Sequence, residues 1–423
     1  MTPADAFAKL SLDIPERGAS PLRVALVTNI PAPYRLPVYE LLASVPGVAL
    51  RVFFCSEREP DRAWNLDAFN FPSEVLRGRV WQRRGRYIHA NPELWPALRR
   101  FSPSMVVTTG FNPTHLLAFG YARSHRLPHL AMTDGTLQSE AKLGAIHRWV
   151  RRVVYAQTAA FVGASDGSFE LYRSYGCKPQ DLFKSHLCAR NESFESVLPN
   201  EREFDLIFCG RFVAGKLPSF ALQVAVATAA LMGRRVRMLF VGSGELDLQL
   251  RREAEQAELA VSSSFAGFAR QEELPALYGR ARVLLFPTLG DTWGVVANEA
   301  CAAGLPVIVS PEAGVAGELV RDQENGFVLP LDVAVWAKAA FELLADSALC
   351  HRMSARSREL VKPYTFRNAA AGLLAAIQHA EHVEHHQSTK PAAELLQDGC
   401  VVSPDATGLR RPTPHRNVLG NTP

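Results

Sequence analysis

A chain of 423 residues is too long for one ordinary core and long enough for two domains of about 150 to 200 residues each. A net charge of +4 is too small to imply nucleic acid, and the 48% hydrophobic and 21% charged fractions are those of a folded globular chain. No apolar run is read as approaching the ~20 residues of a membrane span, and the start MTPADAFAKLSLDIPERGASPLR lacks the pattern of a secretory leader.

Residues 1–21 read as an N-terminal extension. From there short apolar runs at 23–28 (RVALVT), 48–55, 105–109, 129–132 and 161–162 alternate with helical patterns, which argues a parallel sheet covered on both faces. The polar, proline-bearing stretch 187–204 breaks the alternation and reads as a linker between a domain at 22–190 and a second at 191–363. Strands are expected in the second domain at 205–209, 236–241, 261–265, 283–286 and 306–309, with helices starting near Lys216, Glu245, Gln271 and Gly294. Two doubly wound domains in tandem leave a cleft between the carboxyl edges of their sheets, where such sheets bind ligands. After Pro363 a last apolar-periodic segment, 364–386, needs a partner surface, and the aperiodic tail 387–423 is expected to be disordered. The seven cysteines are scattered without a CxxC pair, which fits a reducing cytoplasm.

Four loops of the second domain could carry chemistry. FCGRFVAGKLPSF (208–220) sets Gly210, Arg211 and Lys216 between a strand and a helix start, either a phosphate site or a pair of solvated charges. VGSGEL (241–246) places Gly242 and Gly244 in a tight turn, but Asp247 stands where a dinucleotide fingerprint needs its third glycine, so NAD is disfavoured. FAGFARQEEL (265–274) contributes Phe268. DTWGVVANEACAAGLPVIVS (291–310) holds Asp291 in a loop, Trp293, then Gly294 and Val295 opening a helix; Glu299 on that helix faces solvent or a ligand.

In order and spacing, GRFVAGK, VGSGE, FAGF and DTWGVVANEACAAGLPVIVS resemble the nucleotide-sugar-binding half of retaining glycosyltransferases of family 4. TNIPAPYR (28–35), the stretch 108–136 and VGASDGSFELYRSYGCKPQDLF (162–183) resemble more loosely its bacterial polysaccharide-synthesis branch. The resemblance implies an α/β GT-B fold with a C-terminal helix returning to the first domain. It also implies a metal-independent transferase that uses a nucleoside-diphosphate sugar as co-substrate and needs no other cofactor. By position, Arg211 and Lys216 would hold the diphosphate, Glu299 the ribose hydroxyls, Phe268 would lie by the base, Gly210, Gly242, Gly244, Trp293, Gly294 and Val295 would complete the donor site, and Asp291 would face the donor sugar where the family's E-x7-E pattern has its first glutamate. The chain has no Asp-x-Asp pair, the metal-diphosphate device of the other glycosyltransferase fold.

Two departures stand out: Asp291 is one methylene short, and Thr133-Asp134-Gly135-Thr136 replaces a catalytic-site histidine. Asp134 is expected to substitute for it as a contact to the sugar, the alternative being a loop that only shapes the acceptor site, with His115 a separate candidate. A nucleotide-sugar epimerase-like enzyme and a non-catalytic nucleotide-sugar-binding subunit are the competing readings. Arginines and aromatics between 77 and 100 (Arg77, Arg79, Arg83, Arg84, Arg86, Arg99, Arg100; Trp81, Tyr87, Trp95), with Arg148, Trp149, Arg151 and Arg152 further on, compose a surface for anionic lipid headgroups. The expected partners are thus a donor, a saccharide or lipid-linked acceptor and the inner face of the cell membrane.

Overall fold

The computed structural model describes residues 21–59, 69–83, 86–141, 143–195 and 202–389. The N-terminal extension, Arg84 and most of the tail lie outside the described residues.

The first sheet contains β1 (Leu22–Thr28), β2 (Val48–Phe54), β3 (Ser73–Val75), β6 (Met105–Thr108), β7 (His129–Thr133), β8 (Ala160–Gly163) and β9 (Leu182–Lys184). They run in the order β3-β2-β1-β6-β7-β8-β9, with every pairing parallel. β4 (Arg79–Arg83) and β5 (Arg86–Ala90) form a separate antiparallel hairpin. The second sheet is β12 (Val261–Gly267), β11 (Val236–Val241), β10 (Phe204–Cys209), β13 (Ala281–Phe286), β14 (Val307–Val309) and β15 (Gly326–Val328), in that order and again parallel. MVVT of β6 and most of ARVLLF of β13 are buried, because helices cover both faces of each sheet and leave no side for polar residues.

One helix corrects the sequence reading. The span Ala214–Met232, a short turn followed by the helix Pro218–Met232, is long and apolar enough to cross a membrane by length and composition. Here it is a core helix: Ala221, Leu222, Val224 and Ala225 are buried with Met238, Phe240 and Trp336, and Phe220 meets the Trp336 ring edge-on at 5.2 Å.

The linker is more structured than its polarity suggests. Leu187, Cys188 and Ala189 are buried, and the short helix Asn191–Glu195 follows. Asn191 Nδ2 donates to the carbonyls of Val361 (3.2 Å) and Tyr364 (3.1 Å), tying the outward crossing of the chain to its return. Past Pro363 the helix Phe366–Thr389 packs on the first domain as expected: Ala369, Leu373 and Ile377 share a core with Val24, Leu26 and Val38. A second clamp joins the domains, since Lys184 Nζ reaches Asp166 (2.5 Å) and Glu318 (2.8 Å), while Glu318 also accepts from the Asp166 amide (2.7 Å).

Candidate functional site

In the second sheet the strand order reverses between β10 and β13, so the loops leaving their carboxyl ends diverge and open a crevice. Lys216 and Asp291 come from these two loops. The turn Ala214–Lys216 is fastened to the β13 loop at the Gly215 carbonyl, which accepts from Leu289 N (3.0 Å) and Thr288 Oγ1 (3.1 Å). This brings the Lys216 ammonium onto Asp291 Oδ2 as an ion pair, about a fifth exposed on each side. Asp291 is held in turn: its Oδ1 accepts from Trp293 N (3.2 Å), and its backbone joins the loop after β14 through Glu312 O and Gly314 N. Arg211 stands at the start of the Lys216 loop. A cation and a carboxylate fixed side by side at a switch point can bind a phosphate and a hydroxyl on one ligand.

Gly294 caps the helix Val295–Ala302 at φ 110°, and a Cβ there would fall 2.3 Å from the Phe286 ring. The first-turn amides of Val295 and Val296 have no acceptor within the helix, as at any helix start, and face the crevice end of the element. Glu299, deeper in the same helix, is only 3% exposed. Its Oε2 accepts from the Tyr278 hydroxyl at 2.9 Å. Burial pushes its pKa from an ordinary 4.5 up to about 7, with the Tyr278 bond acting the other way. The open alternatives for this residue therefore narrow: it is neither a solvated flank nor yet an exposed hand, but a desolvated acid beside Tyr278 and Cys209, whose thiol burial raises to about 12.

Other expected residues behave differently. Gly242 (φ 138°) and Gly244 serve loop packing: a Cβ would lie 1.9 Å from the Gly210 carbonyl oxygen and 2.4 Å from that of Phe212, respectively. The glycines at 242 and 244 thus let the loop after β11 touch the one after β10, which sets the Arg211–Lys216 loop in place. Gly242→Ala should lower stability by about 1 to 3 kcal/mol, measured as a chemical-denaturation midpoint; an unchanged midpoint would remove this role. Trp293 departs from its expected donor contact. Its ring is fully buried, its Nε1 donates to Asn298 (2.7 Å), and it packs 5.5 Å from Tyr364 at the return crossing, so only its backbone borders the crevice. Phe268 is half exposed and lines a pocket of about 380 Å³ with Ala266, Ala269, Glu273 and Leu277.

Across the cleft, Asp134 follows β7 and is about a third exposed. Its partner was not picked out from sequence. Arg35, buried at 5% exposure, donates from one nitrogen to Asp134 (2.5 Å) and from another to the Ser185 carbonyl (2.9 Å). NIPAPYR thus delivers an arginine that orients the Asp134 carboxylate. His115 is not on the cleft: it is 1% exposed within the helix Pro113–Ser124, and burial lowers its pKa to about 3, leaving a neutral core ring. Tyr278 and Arg35 had no sequence signal of their own, because each acts through a partner distant in the chain.

Residues 189–360 match the family model described as glycosyl transferases group 1. Over 202 residues, 45% of each chain, the protein is 28% identical to a D-inositol 3-phosphate glycosyltransferase of Salinispora arenicola (strain CNS-205). To the enzyme of that name from Rhodococcus opacus (strain B4) it is 27% identical over 395 residues, 85% of this chain and 82% of the other. The chain spans about half the length of the first curated relatives it matches, 45 to 55%. Among solved structures, Anabaena HepE in complex with UDP and glucose superposes with a TM-score of 0.63 at 13% identity, covering 87% of this chain and 100% of that one. The chain therefore has the α/β GT-B fold, with a match to glycosyl transferases group 1 across its second domain.

Proposed function

We propose that the protein is a retaining, metal-independent glycosyltransferase of family 4 that moves a sugar from a nucleoside-diphosphate sugar to a saccharide or lipid-linked acceptor in cell-surface polysaccharide synthesis. The observation that carries this reading is the convergence of Lys216, Asp291, Gly294 and Glu299 at the switch point of the second sheet, within the segment that matches glycosyl transferases group 1. The diphosphate would lie between Lys216, Arg211 and the amides at Gly294. Asp291 would take the sugar hydroxyls, Asp134 would approach the sugar from the first domain, and Glu299 the ribose. In the reaction the bond from the anomeric carbon to the diphosphate oxygen breaks, the acceptor oxygen bonds to that carbon, and the acceptor's proton passes to the departing diphosphate. Two cations beside the leaving oxygens stabilise the charge that grows there, the role a metal has elsewhere. HepE was solved with UDP and glucose, so UDP-glucose is the first donor to try. Pure protein with UDP-, GDP- and ADP-sugars in EDTA should release nucleoside diphosphate from one of them and retain the anomeric configuration in the product. Release from none, with acceptor saccharides present, would leave a binding protein.

We further propose that the enzyme works at the cytoplasmic face of the membrane. Six cysteines of the described structure are free thiols, which suits a reducing compartment. The helix Ala145–Tyr155 exposes Ile146 (77%), Trp149 (62%) and Val153 on one stripe, flanked by exposed Arg148 and Arg152. The β4–β5 hairpin exposes Val80 and Trp81 beside Arg79 and Arg83. Not every residue of the basic clusters shares this role. Trp95 turns inward onto Tyr121 (5.1 Å), Arg151 pairs with Glu140 over the Phe111 ring, and Arg100 pairs with Glu74. Arg148→Glu with Arg152→Glu should lower the fraction sedimenting with anionic vesicles at least about tenfold, and Trp149→Ala should lower it without changing the salt dependence. Equal recovery in the supernatant with neutral and anionic vesicles would place the acceptor in solution.

A further inference from the structure

At the opposite end of the second domain lies a cavity of about 380 Å³ lined by Arg202, Arg282, Arg358, His351, Ser347 and Ser354. Arg202 precedes β10 and Arg282 is the second residue of β13, so the cavity opens at the amino ends of the strands whose carboxyl ends form the crevice. The third wall is the helix Ser347–Val361. No carboxylate lines it, and among the described residues none of these three arginines has an ion-pair partner, whereas neighbouring Arg234, Arg280 and Arg356 are paired with Asp205, Glu203 and Glu324.

Their contacts are all to backbone carbonyls: Arg202 to Ala281 (3.0 Å) and Gly304 (3.1 Å), Arg358 to Ala303 (3.3 Å), and Arg282 to Leu344 (3.2 Å). These bonds explain why the guanidiniums point here, since Arg202 and Arg358 satisfy the last carbonyls of the helix that carries Glu299. Carbonyl dipoles do not neutralise three full charges. Each guanidinium has five donors, so several remain for another acceptor. Burial lowers the Arg202 pKa most, and the like charges of Arg358 and Arg282 lower it further, a repulsion that an anion would relieve.

We propose that this cavity binds a phosphate monoester or free phosphate, gripped by Arg202, Arg282 and Arg358 with Ser347 and Ser354 as hydroxyl partners. A dianion matches the excess charge better than a carboxylate does, and planar guanidiniums bind phosphate in a bidentate manner. The volume suits a small metabolite. Ser354 and Cys350 are nearly buried, so the floor is preformed.

The test is calorimetric titration of inorganic phosphate and of a hexose 6-phosphate into the full chain at constant ionic strength. Three variants accompany the parent: Arg282→Ala, Ser347→Asp and Lys216→Ala. Ser347→Asp puts a carboxylate on the exposed rim at a helix start that tolerates acids, so it keeps the fold even if Arg282→Ala does not. Lys216→Ala removes phosphate binding at the cleft, so the binding that persists in it reports the cavity, and each rim variant, alone and combined with Lys216→Ala, should weaken that persisting binding at least about tenfold. Tighter binding of the ester would identify an esterified ligand and the reverse free phosphate; either supports the site. Parental affinity in Ser347→Asp, loss of binding in Lys216→Ala, or no heat with either ligand would overturn it. The outcome is independent of the donor-site assignment, because Lys216→Ala reports on the cleft separately.

Discussion

Lys216→Ala is expected to lower turnover by about 10²- to 10³-fold, with Arg211→Ala acting in the same direction. Lys216 is placed by the fold and does little to hold it: its side chain is a fifth exposed and its turn is secured by backbone bonds at Gly215. The melting temperature of the variant should therefore stay within a few degrees of the parent. Its loss is felt twice in the reaction. The departing diphosphate loses a cation when its charge is greatest, and Asp291, no longer paired, turns an uncompensated carboxylate toward the same region. Lys216→Arg should recover part of the rate, since the charge returns with a different reach. Nucleoside-diphosphate release under saturating donor is the measurement; near-parental turnover in Lys216→Ala would remove the phosphate assignment and with it the reading of Asp291.

Much of this architecture was legible in the sequence because parallel strands buried on both faces appear as uninterrupted apolar runs. The elements that escaped notice were those lacking that signature. β3, β9 and β15 are three residues each, too short for any period to register, and all five residues of β4 are exposed, so nothing apolar marked it. The helix Pro218–Met232 shows the converse, because an apolar helix looks the same whether lipid or protein surrounds it. At the site, Lys216, Asp291 and Glu299 were found from the spacing within two loops and one helix. Their partners were not. Arg35 and Asp134 lie 99 residues apart, and Tyr278 lies 21 residues before the acid it binds, so only the folded chain could join them. The glycines at 242 and 244 were seen but assigned to a ligand, when the backbone they accommodate belongs to the neighbouring loop.

Glu299 should make donor binding depend on pH in a direction opposite to that of stability. The carboxyl is buried against Tyr278, and its pKa stands near 7 where 4.5 is ordinary. Ribose hydroxyls donate to a carboxylate more strongly than to a neutral acid, so the ionised form is the one that binds donor. KM for the donor should then rise about tenfold for each pH unit below 7 and level off above it. Stability without donor runs the other way. A carboxyl whose folded pKa is raised binds more protons in the folded state, so its contribution is fully present below pH 4.5 and is lost as pH rises through 7. The melting temperature of the donor-free protein should fall across that window, and donor should restore it most at the alkaline end. Glu299→Gln keeps the volume and the Tyr278 contact but cannot ionise. It should flatten both profiles across the window and raise donor KM at pH 8 by about 10- to 100-fold, the loss of charge-assisted hydrogen bonds, with a smaller change in kcat. Measuring KM and melting temperature side by side separates this role from a merely structural one, because a packing residue would move stability at every pH and leave the KM profile of the variant parallel to the parent's. A parental KM that is flat between pH 6 and 8 would take Glu299 away from the ribose.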